Sequence, residues 1–179
     1  MISLQASDFE LFGLPTAFAL DRSQLDSQWK SLQREAHPDR FASEGAAAQR
    51  IAMQWSVRIN EAYNRLKDPL KRAAYLCELN GAAVNAENNT SMPPEFLLQQ
   101  MEWREALDDC KALKHSAPKI EALEKLLEEV DQSHAQALAD AAHLLDVDHN
   151  FVAAVGQVRA LMFIEKFAHE VQLGLDACT

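Results

Sequence analysis

Apolar residues in the first 79 positions recur at intervals of three and four in two long segments, the spacing of amphipathic helices. Pro38 ends the first helix and Asp68-Pro69 ends the second, and the two stripes are long enough to pack antiparallel. Asp21 or Ser23 can cap the first helix. Short flanking helices are predicted over residues 9–14 and 69–79. The stripes are Leu25, Trp29, Leu32 and Ala36, then Ile51, Trp55, Ile59, Ala62 and Leu66.

A second helical region follows a segment without apolar periodicity. Residues 80–93 are rich in Asn, Gly and small side chains, which predicts a linker. Three further helices are predicted over about 94–113, 117–145 and 150–175, and they should form an antiparallel bundle. The middle helix carries a coiled-coil-like seam. Its positions are Ile120, Leu123, Leu127, Val130, His134, Ala137, Ala141 and Leu144.

The sequence therefore predicts an all-α protein with a helical-hairpin domain at 1–79, a linker at 80–93 and a three-helix bundle at 94–179. The net charge is -10. Residues 1–79 hold ten Lys plus Arg and ten Asp plus Glu, whereas residues 80–179 hold seven and seventeen. This excess of negative charge in the second half opposes nucleic-acid binding. The two halves are expected to face different tasks.

The first bundle helix has two apolar faces when residues are placed at ~100° intervals. One face holds Phe96, Gln100, Trp103, Leu107 and Cys110, and the other holds Leu97, Leu98 and Met101 among Glu102, Glu105 and Asp108. The last helix is similar, with Phe151, Val155, Val158 and Met162 on one stripe and Val152, Phe163 and Phe167 on another. Both faces could be buried, since each helix of a bundle meets two neighbours. Alternatively, one is an exposed apolar patch rimmed by carboxylates that docks a protein.

Composition narrows the class of protein. Hydrophobic residues make up 48% of the chain, enough for buried cores, and Gly and Pro are sparse. No stretch approaches the ~20 apolar residues of a membrane span, so no membrane association is expected. The first ten residues lack the basic and apolar regions of a secretion signal and are not Arg-rich. A cytoplasmic protein is expected.

No metal, cofactor or catalytic site is predicted. The three cysteines, Cys77, Cys110 and Cys178, lie more than thirty residues apart, without metal or redox spacing. His134, His143 and His149 lie near acidic residues but are better interpreted as surface or seam residues. His37 and Asp39 could be imagined as a catalytic dyad, yet nothing else in the first 79 residues supplies a pocket or an orienting group. The protein is not expected to be an enzyme.

The tripeptide His37-Pro38-Asp39 joins the two helices of the first domain. Pro38 has a fixed φ and no N–H, so it forms a stiff corner that holds an imidazole and a carboxylate at the surface. Lys30 and Arg34 precede it at exposed positions, and Arg40 follows it. With FELFGL upstream, this arrangement resembles a J-domain throughout residues 1–79.

The J-domain resemblance implies a partner ATPase. In that family the tripeptide and the basic face of the preceding helix engage the ATPase domain and linker of a DnaK-class chaperone and speed ATP hydrolysis. It therefore assigns His37, Pro38 and Asp39 as the contact core, with Lys30, Arg34 and Arg40 as electrostatic guides. Many J-domains have an aromatic residue at the position of Ala36 and a Lys at that of Arg40. Arg40 preserves the charge, whereas Ala36 removes a contact.

The order of motifs along the whole chain is similar to that of the HscB family, J-type co-chaperones of iron-sulfur cluster assembly. FELFGLP, the HPD context, PLKRAAYL, FLLQQMEWREAL and VRALMFIEKF carry the resemblance. It implies an HscA-like chaperone partner and an IscU-like scaffold partner. The absence of the cysteine-rich N-terminal extension of eukaryotic relatives favours a bacterial form. The scaffold-binding residues it implies are Leu97, Leu98, Met101, Glu102, Glu105 and Phe163.

Two hypotheses remain open at this point. In the first, the chain recruits an ATPase through residues 1–79 and binds the cluster scaffold through residues 94–175. In the second, the J-domain recruits a general DnaK chaperone and the bundle binds a client unrelated to cluster assembly. Exposure and adjacency of four residues distinguish the hypotheses, because their burial would remove the docking site. These residues are Leu97, Leu98, Met101 and Phe163.

Overall fold

The computed structural model describes residues 5–84 and 91–178, and within these ranges it contains helices and no strands. The all-α prediction is confirmed. The part of the predicted linker at 85–90 lies outside the described residues. No helix in the described part of the chain is long and apolar enough to cross a membrane. The helices are α1 (Asp8–Leu11), α2 (Arg22–Glu35), a 3-10 helix (Pro38–Glu44), α3 (Ala46–Lys67), α4 (Pro69–Leu79), α5 (Pro94–Ala112), α6 (Ser116–Asp146) and α7 (Phe151–Asp176).

The chain divides into two compact units, Met1–Leu76 and Cys77–Thr179. The first is built on the hairpin of α2 and α3. Asp21 caps α2, since its carboxylate accepts hydrogen bonds from the N–H groups of the second and third helical residues. Trp29 of α2 stacks on Tyr63 of α3 with ring centroids 4.6 Å apart. The largest fully buried side chains of this core are Phe9, Phe12, Leu25, Ile59 and Leu66.

The first two turns of α3 differ from the prediction. Ile51 was placed in the packing stripe, but its side chain is 56% exposed and Ala52 occupies the buried position. Ile51 instead borders an open groove of about 540 Å³, which Phe41 and Trp55 also line. The segment expected to be a loop, RFASEG, is largely the 3-10 helix, whose N-cap is His37. The buried core between α2 and α3 therefore becomes smaller toward the tripeptide.

A buried ionic cluster fastens α1 to α3 and α4. Asp8 is fully buried, with one carboxylate oxygen 2.7 Å from Nη2 of Arg58 and the other 3.2 Å from Nη1 of Arg65. The Asp8 N–H donates to the hydroxyl of Tyr75 at 3.0 Å. The Arg65 guanidinium lies over the Tyr75 ring, 4.7 Å from its centroid. The short apolar helix predicted over residues 9–14 gave no indication of this ionic cluster.

The second unit is the predicted three-helix bundle. α6 and α7 make the most extensive contact, and α5 packs against both. Asn150 caps α7 by accepting a hydrogen bond from the Ala153 N–H at 3.1 Å. Gly81 adopts the left-handed φ of +76° just beyond α4, where it closes a Schellman turn. The principal buried side chains of the bundle are Phe96, Trp103, Leu107, Leu123, Val130, Val158, Leu161, Ile164 and Phe167.

The seam of α6 is displaced from the predicted one. Leu126 and Leu145 are buried, whereas the predicted Leu127 and Leu144 are only half-buried. His134, also placed on the seam, lies at its edge with Nε2 3.3 Å from Oε1 of Glu165. An α-helix drifts by ~20° per heptad from a strict seven-residue repeat. Because α6 is 31 residues long and faces two neighbouring helices, the heptad positions that are buried change along its length.

Candidate protein-docking sites

The tripeptide is held at the start of the 3-10 helix. His37 Nδ1 accepts a hydrogen bond from the Asp39 N–H at 3.3 Å, and the His37 carbonyl accepts one from the Arg40 N–H at 3.0 Å. A neutral ring that accepts at Nδ1 carries its proton on Nε2. The side chains of His37 and Asp39 are 57% and 90% exposed. The corner thus presents an N–H donor and a carboxylate to a partner.

Three cations form a strip that leads to this corner. Lys30, Arg34 and Arg40 are all exposed. Arg34 Nε donates to the Lys30 carbonyl, and Arg40 Nη1 donates to the Arg34 carbonyl, each at 3.3 Å. Within the described residues, none of the three is ion-paired with a carboxylate. Their charge is therefore available to attract an acidic surface.

Ala36 lies where α2 ends beside the tripeptide. Its carbonyl accepts a hydrogen bond from the Ser56 hydroxyl at 3.0 Å, which ties α2 to α3. Its methyl group lines the groove formed with Phe41, Ile51 and Trp55. A methyl group occupies less of that groove than the aromatic side chain that many J-domains place here would.

The second apolar face of α5 is exposed. Leu97, Leu98 and Met101 are 49%, 60% and 70% accessible to solvent. Glu102 and Glu105 are exposed on the same helix. Of the two interpretations left open by the sequence, the structure selects the exposed patch with acidic neighbours. The three apolar residues and the two carboxylates are referred to below as the α5 patch.

Phe163 differs from the other residues predicted for this surface. It is half-buried, packed edge-to-face on Phe96 with centroids 5.7 Å apart and stacked on Phe167 at 6.0 Å. The stripes proposed for α7 are also corrected: Phe167 is fully buried, while Met162 and Val152 are exposed. Phe163 packs against the side of α5 and leaves only part of its ring available to a partner.

A salt-bridge cluster between α5 and α7 was not predicted. Glu170 lies 2.6 Å from Nη1 of Arg104 and 3.2 Å from Nζ of Lys111. The hydrogen bond from Arg104, and then that from Lys111, lower the pKa of Glu170. The Arg104 guanidinium also lies over the rings of Phe163 and Phe167, 5.8 and 5.2 Å from their centroids. No local sequence signal links residues about sixty positions apart.

The chain as a whole is similar to proteins of one known family. A family model described as the HSCB C-terminal oligomerisation domain matches residues 92–172. The co-chaperone protein HscB homolog of Burkholderia multivorans is 50% identical over 171 residues, covering 96% of this chain and 95% of the relative. That of Paraburkholderia xenovorans is 51% identical with the same coverage. The chain belongs to the HscB co-chaperone family.

Solved HscB structures share the fold. HscB from Vibrio cholerae is 39% identical and superposes with a TM-score of 0.82, covering 97% of this chain and all of the other. Human HscB is 22% identical with a TM-score of 0.84, covering 96% of this chain and 83% of the other, and supports the fold alone. The resemblance inferred from the ordered motifs is confirmed. The relatives are named as co-chaperones and not as enzymes.

The remaining titratable residues of this HscB-family chain form no cluster of three metal-ligating side chains in the described ranges. His143 lies 3.4 Å from Asp148 as an exposed pair. Cys77 and Cys110 are buried. Burial, followed by the nearby charge of Glu78, raises the pKa of Cys77 to about 11, which keeps its thiol protonated and unreactive at neutral pH.

Proposed function

We propose that this HscB-family chain is a cytoplasmic co-chaperone of iron-sulfur cluster assembly. Its bundle binds an IscU-like scaffold, and its J-domain brings that scaffold to an HscA-like, DnaK-class chaperone and stimulates ATP hydrolysis. The observation that carries the proposal is the exposed α5 patch, in a chain that also presents His37 and Asp39 at a rigid corner. The protein performs no chemistry itself, since it acts on the active site of its partner.

The chaperone-binding part of the proposal rests on the fixed geometry of the tripeptide. Pro38 and the Asp39 N–H···His37 hydrogen bond hold the imidazole and the carboxylate before any partner arrives. Preorganised groups lose little conformational entropy on binding. The cationic strip of Lys30, Arg34 and Arg40 accelerates encounter with an acidic surface and orients it.

The scaffold-binding part rests on the cost of leaving large apolar side chains in water. Leu97 and Met101 are one helical turn apart, and Leu98 lies beside them. Burial of such a surface by a partner contributes about 25 cal/mol per Å² of apolar area. Glu102 and Glu105 add a charged rim that favours a partner with basic groups opposite them.

Because both sites lie in one chain, the protein would tether the scaffold to the chaperone. A scaffold held on the bundle is presented to the chaperone at an effective concentration on the order of millimolar. ATP hydrolysis triggered by the J-domain then coincides with the presence of the client. Separate proteins with the same two affinities would not couple these events.

The test is a steady-state ATPase assay of an HscA-like chaperone with the full-length chain, with and without an IscU-like scaffold. Leu97→Ala with Met101→Ala should weaken scaffold binding by ~10-fold or more while scaffold-free stimulation stays unchanged. His37→Gln should abolish stimulation and leave scaffold binding intact. Leu173→Ala is the matched control, because Leu173 is 54% exposed on α7 outside the α5 patch.

Four outcomes would contradict this proposal. Absence of ATPase stimulation by the wild-type chain, or equal stimulation by His37→Gln, refutes the J-domain role. Scaffold binding that is unaffected by the α5 double substitution refutes the docking site. Stimulation of a general DnaK-like chaperone, with no scaffold binding, would support the alternative of an adaptor for an unrelated client.

A further inference from the structure

Arg159, in the third turn of α7, is a buried cation with unused donors. Arg159 is only 6% exposed to solvent. Nη1 donates to the Ser91 carbonyl at 3.0 Å, but the buried Nε has no hydrogen-bond partner. Among the described residues, no carboxylate is ion-paired with it. Arginine remains protonated in proteins, and buried charges are normally paired.

A cavity of about 380 Å³ adjoins the guanidinium. Its described walls come from the segment after α4, the segment before α5 and the first turns of α7, and they include no acidic side chain. Gly156 contributes no side chain to this wall, and a Cβ there would meet Pro93 Cδ at an ordinary van der Waals distance of 3.8 Å. The larger apolar residues that line the cavity together with Arg159 are Met92, Pro93, Val152 and Val155.

The free donors of Arg159 lie on one edge of the guanidinium. Nη1 is occupied by the Ser91 carbonyl, which leaves the edge formed by Nε and Nη2 without a hydrogen bond to any residue that the structure describes. That edge is the one whose two parallel N–H groups match the two oxygens of a carboxylate. Helical side chains lean toward the N-terminus, which directs Arg159 over Gly156 and toward the positive end of the α7 dipole.

We propose that this cavity binds a small organic carboxylate. The carboxylate would take the free Nε–Nη2 edge of Arg159, and a short aliphatic body would lie against Val152, Val155 and Met92. The volume is near the lower end of the range for ligand pockets, about 300–1,000 Å³. The site shares no residue with the α5 patch or with the tripeptide, and it stands independently of the proposed function.

The experiment titrates the full-length ¹⁵N-labelled chain with butyrate at constant ionic strength. Saturable shifts are expected for the Arg159 Nε–H and for the Ala153 and Gly156 amides. Arg159→Lys keeps the charge but loses the paired donors, and should weaken binding by ~10-fold or more. Gly156→Val retains Arg159 and fills the cavity, so it should also abolish binding. Arg50→Met removes an exposed arginine of α3 and should leave binding unchanged.

Several results would overturn the assignment. Shifts that do not saturate, or that persist equally in Arg159→Lys, exclude the site. Butanol binding as well as butyrate would show a purely apolar cavity, and inorganic phosphate binding in place of butyrate would show a general oxyanion site. Glu87 lies four residues before Ser91, and butyrate binding to Glu87→Gln but not to the wild type would mean that the chain's own carboxylate takes this role.

Discussion

At the scale of single residues, the contact between α5 and α7 depends on Glu170. Its carboxylate accepts hydrogen bonds from Arg104 and Lys111, and Arg104 in turn covers the Phe163 and Phe167 rings. One acid thereby fixes a cation over the aromatic ring that borders the α5 patch. The side chain of Glu170 is 36% exposed. Its ion pairs are therefore expected to be as weak as other surface salt bridges.

Glu170→Gln should lower the free energy of unfolding of the bundle by about 0.5–1 kcal/mol at pH 7. The folded-state pKa of Glu170 lies below its usual value of 4.5, so the stabilisation is present above that value. It is lost as the pH falls through the lower, folded-state pKa. Urea denaturation of both proteins between pH 7 and pH 3 measures this. A difference that grew at acidic pH would contradict it.

At the scale of elements, α1 has only four residues and cannot be stable by its own hydrogen bonds. It is kept in place by Phe9 and Leu11 in the core and by the Asp8 carboxylate between Arg58 and Arg65. The pairing offsets the cost of burying a charge only while all partners remain. Replacement of the acid therefore affects three helices together.

Asp8→Asn should destabilise the first unit by about 1–3 kcal/mol, because Arg58 and Arg65, whose side chains are 21% and 42% exposed, lose their buried partner. Asp26→Asn is the matched control: Asp26 pairs with Arg22 at 2.7 Å at a partly exposed site and should cost under about 1 kcal/mol. Urea denaturation followed by circular dichroism measures both. Equal losses in the two variants would show that burial of the Asp8 pairs adds nothing.

At the scale of the whole molecule, the chain consists of two compact units with separate cores. The first contains Trp29 and Trp55, and the second contains Trp103. The units also differ in charge, since residues 1–76 hold ten Lys plus Arg and nine Asp plus Glu, whereas residues 77–179 hold seven and eighteen. Each task of the proposed co-chaperone is thus assigned to a unit with its own electrostatic character.

The tryptophans provide a test of independent unfolding. With Trp29→Phe and Trp55→Phe, fluorescence reports the second unit alone, and Asp8→Asn should leave that transition unchanged. With Trp103→Phe instead, the fluorescence reports the first unit, and Asp8→Asn should move its midpoint to lower urea. A shift of equal size in both backgrounds would show that the chain unfolds as one cooperative body.

The sequence by itself determined the helices, the rigid tripeptide and the ordered motifs of the family. These features depend on local spacing, on proline and on capping residues such as Asp21, which act over a few positions. The two apolar faces of α5 were also visible in the spacing. The spacing did not show which of the two faces is exposed to solvent, because burial depends on where the neighbouring helices lie.

Tertiary structure decided the features that depend on distant residues. Ala52 replaced Ile51 in the core because the hairpin opens into a groove, and Phe163 became half-buried because Phe96 and Phe167 pack against it. Asp8 pairs with arginines that lie fifty or more positions away in the sequence, and Glu170 pairs with cations that lie about sixty positions away. Such contacts arise from packing between helices, so the spacing of residues within one helix does not predict them.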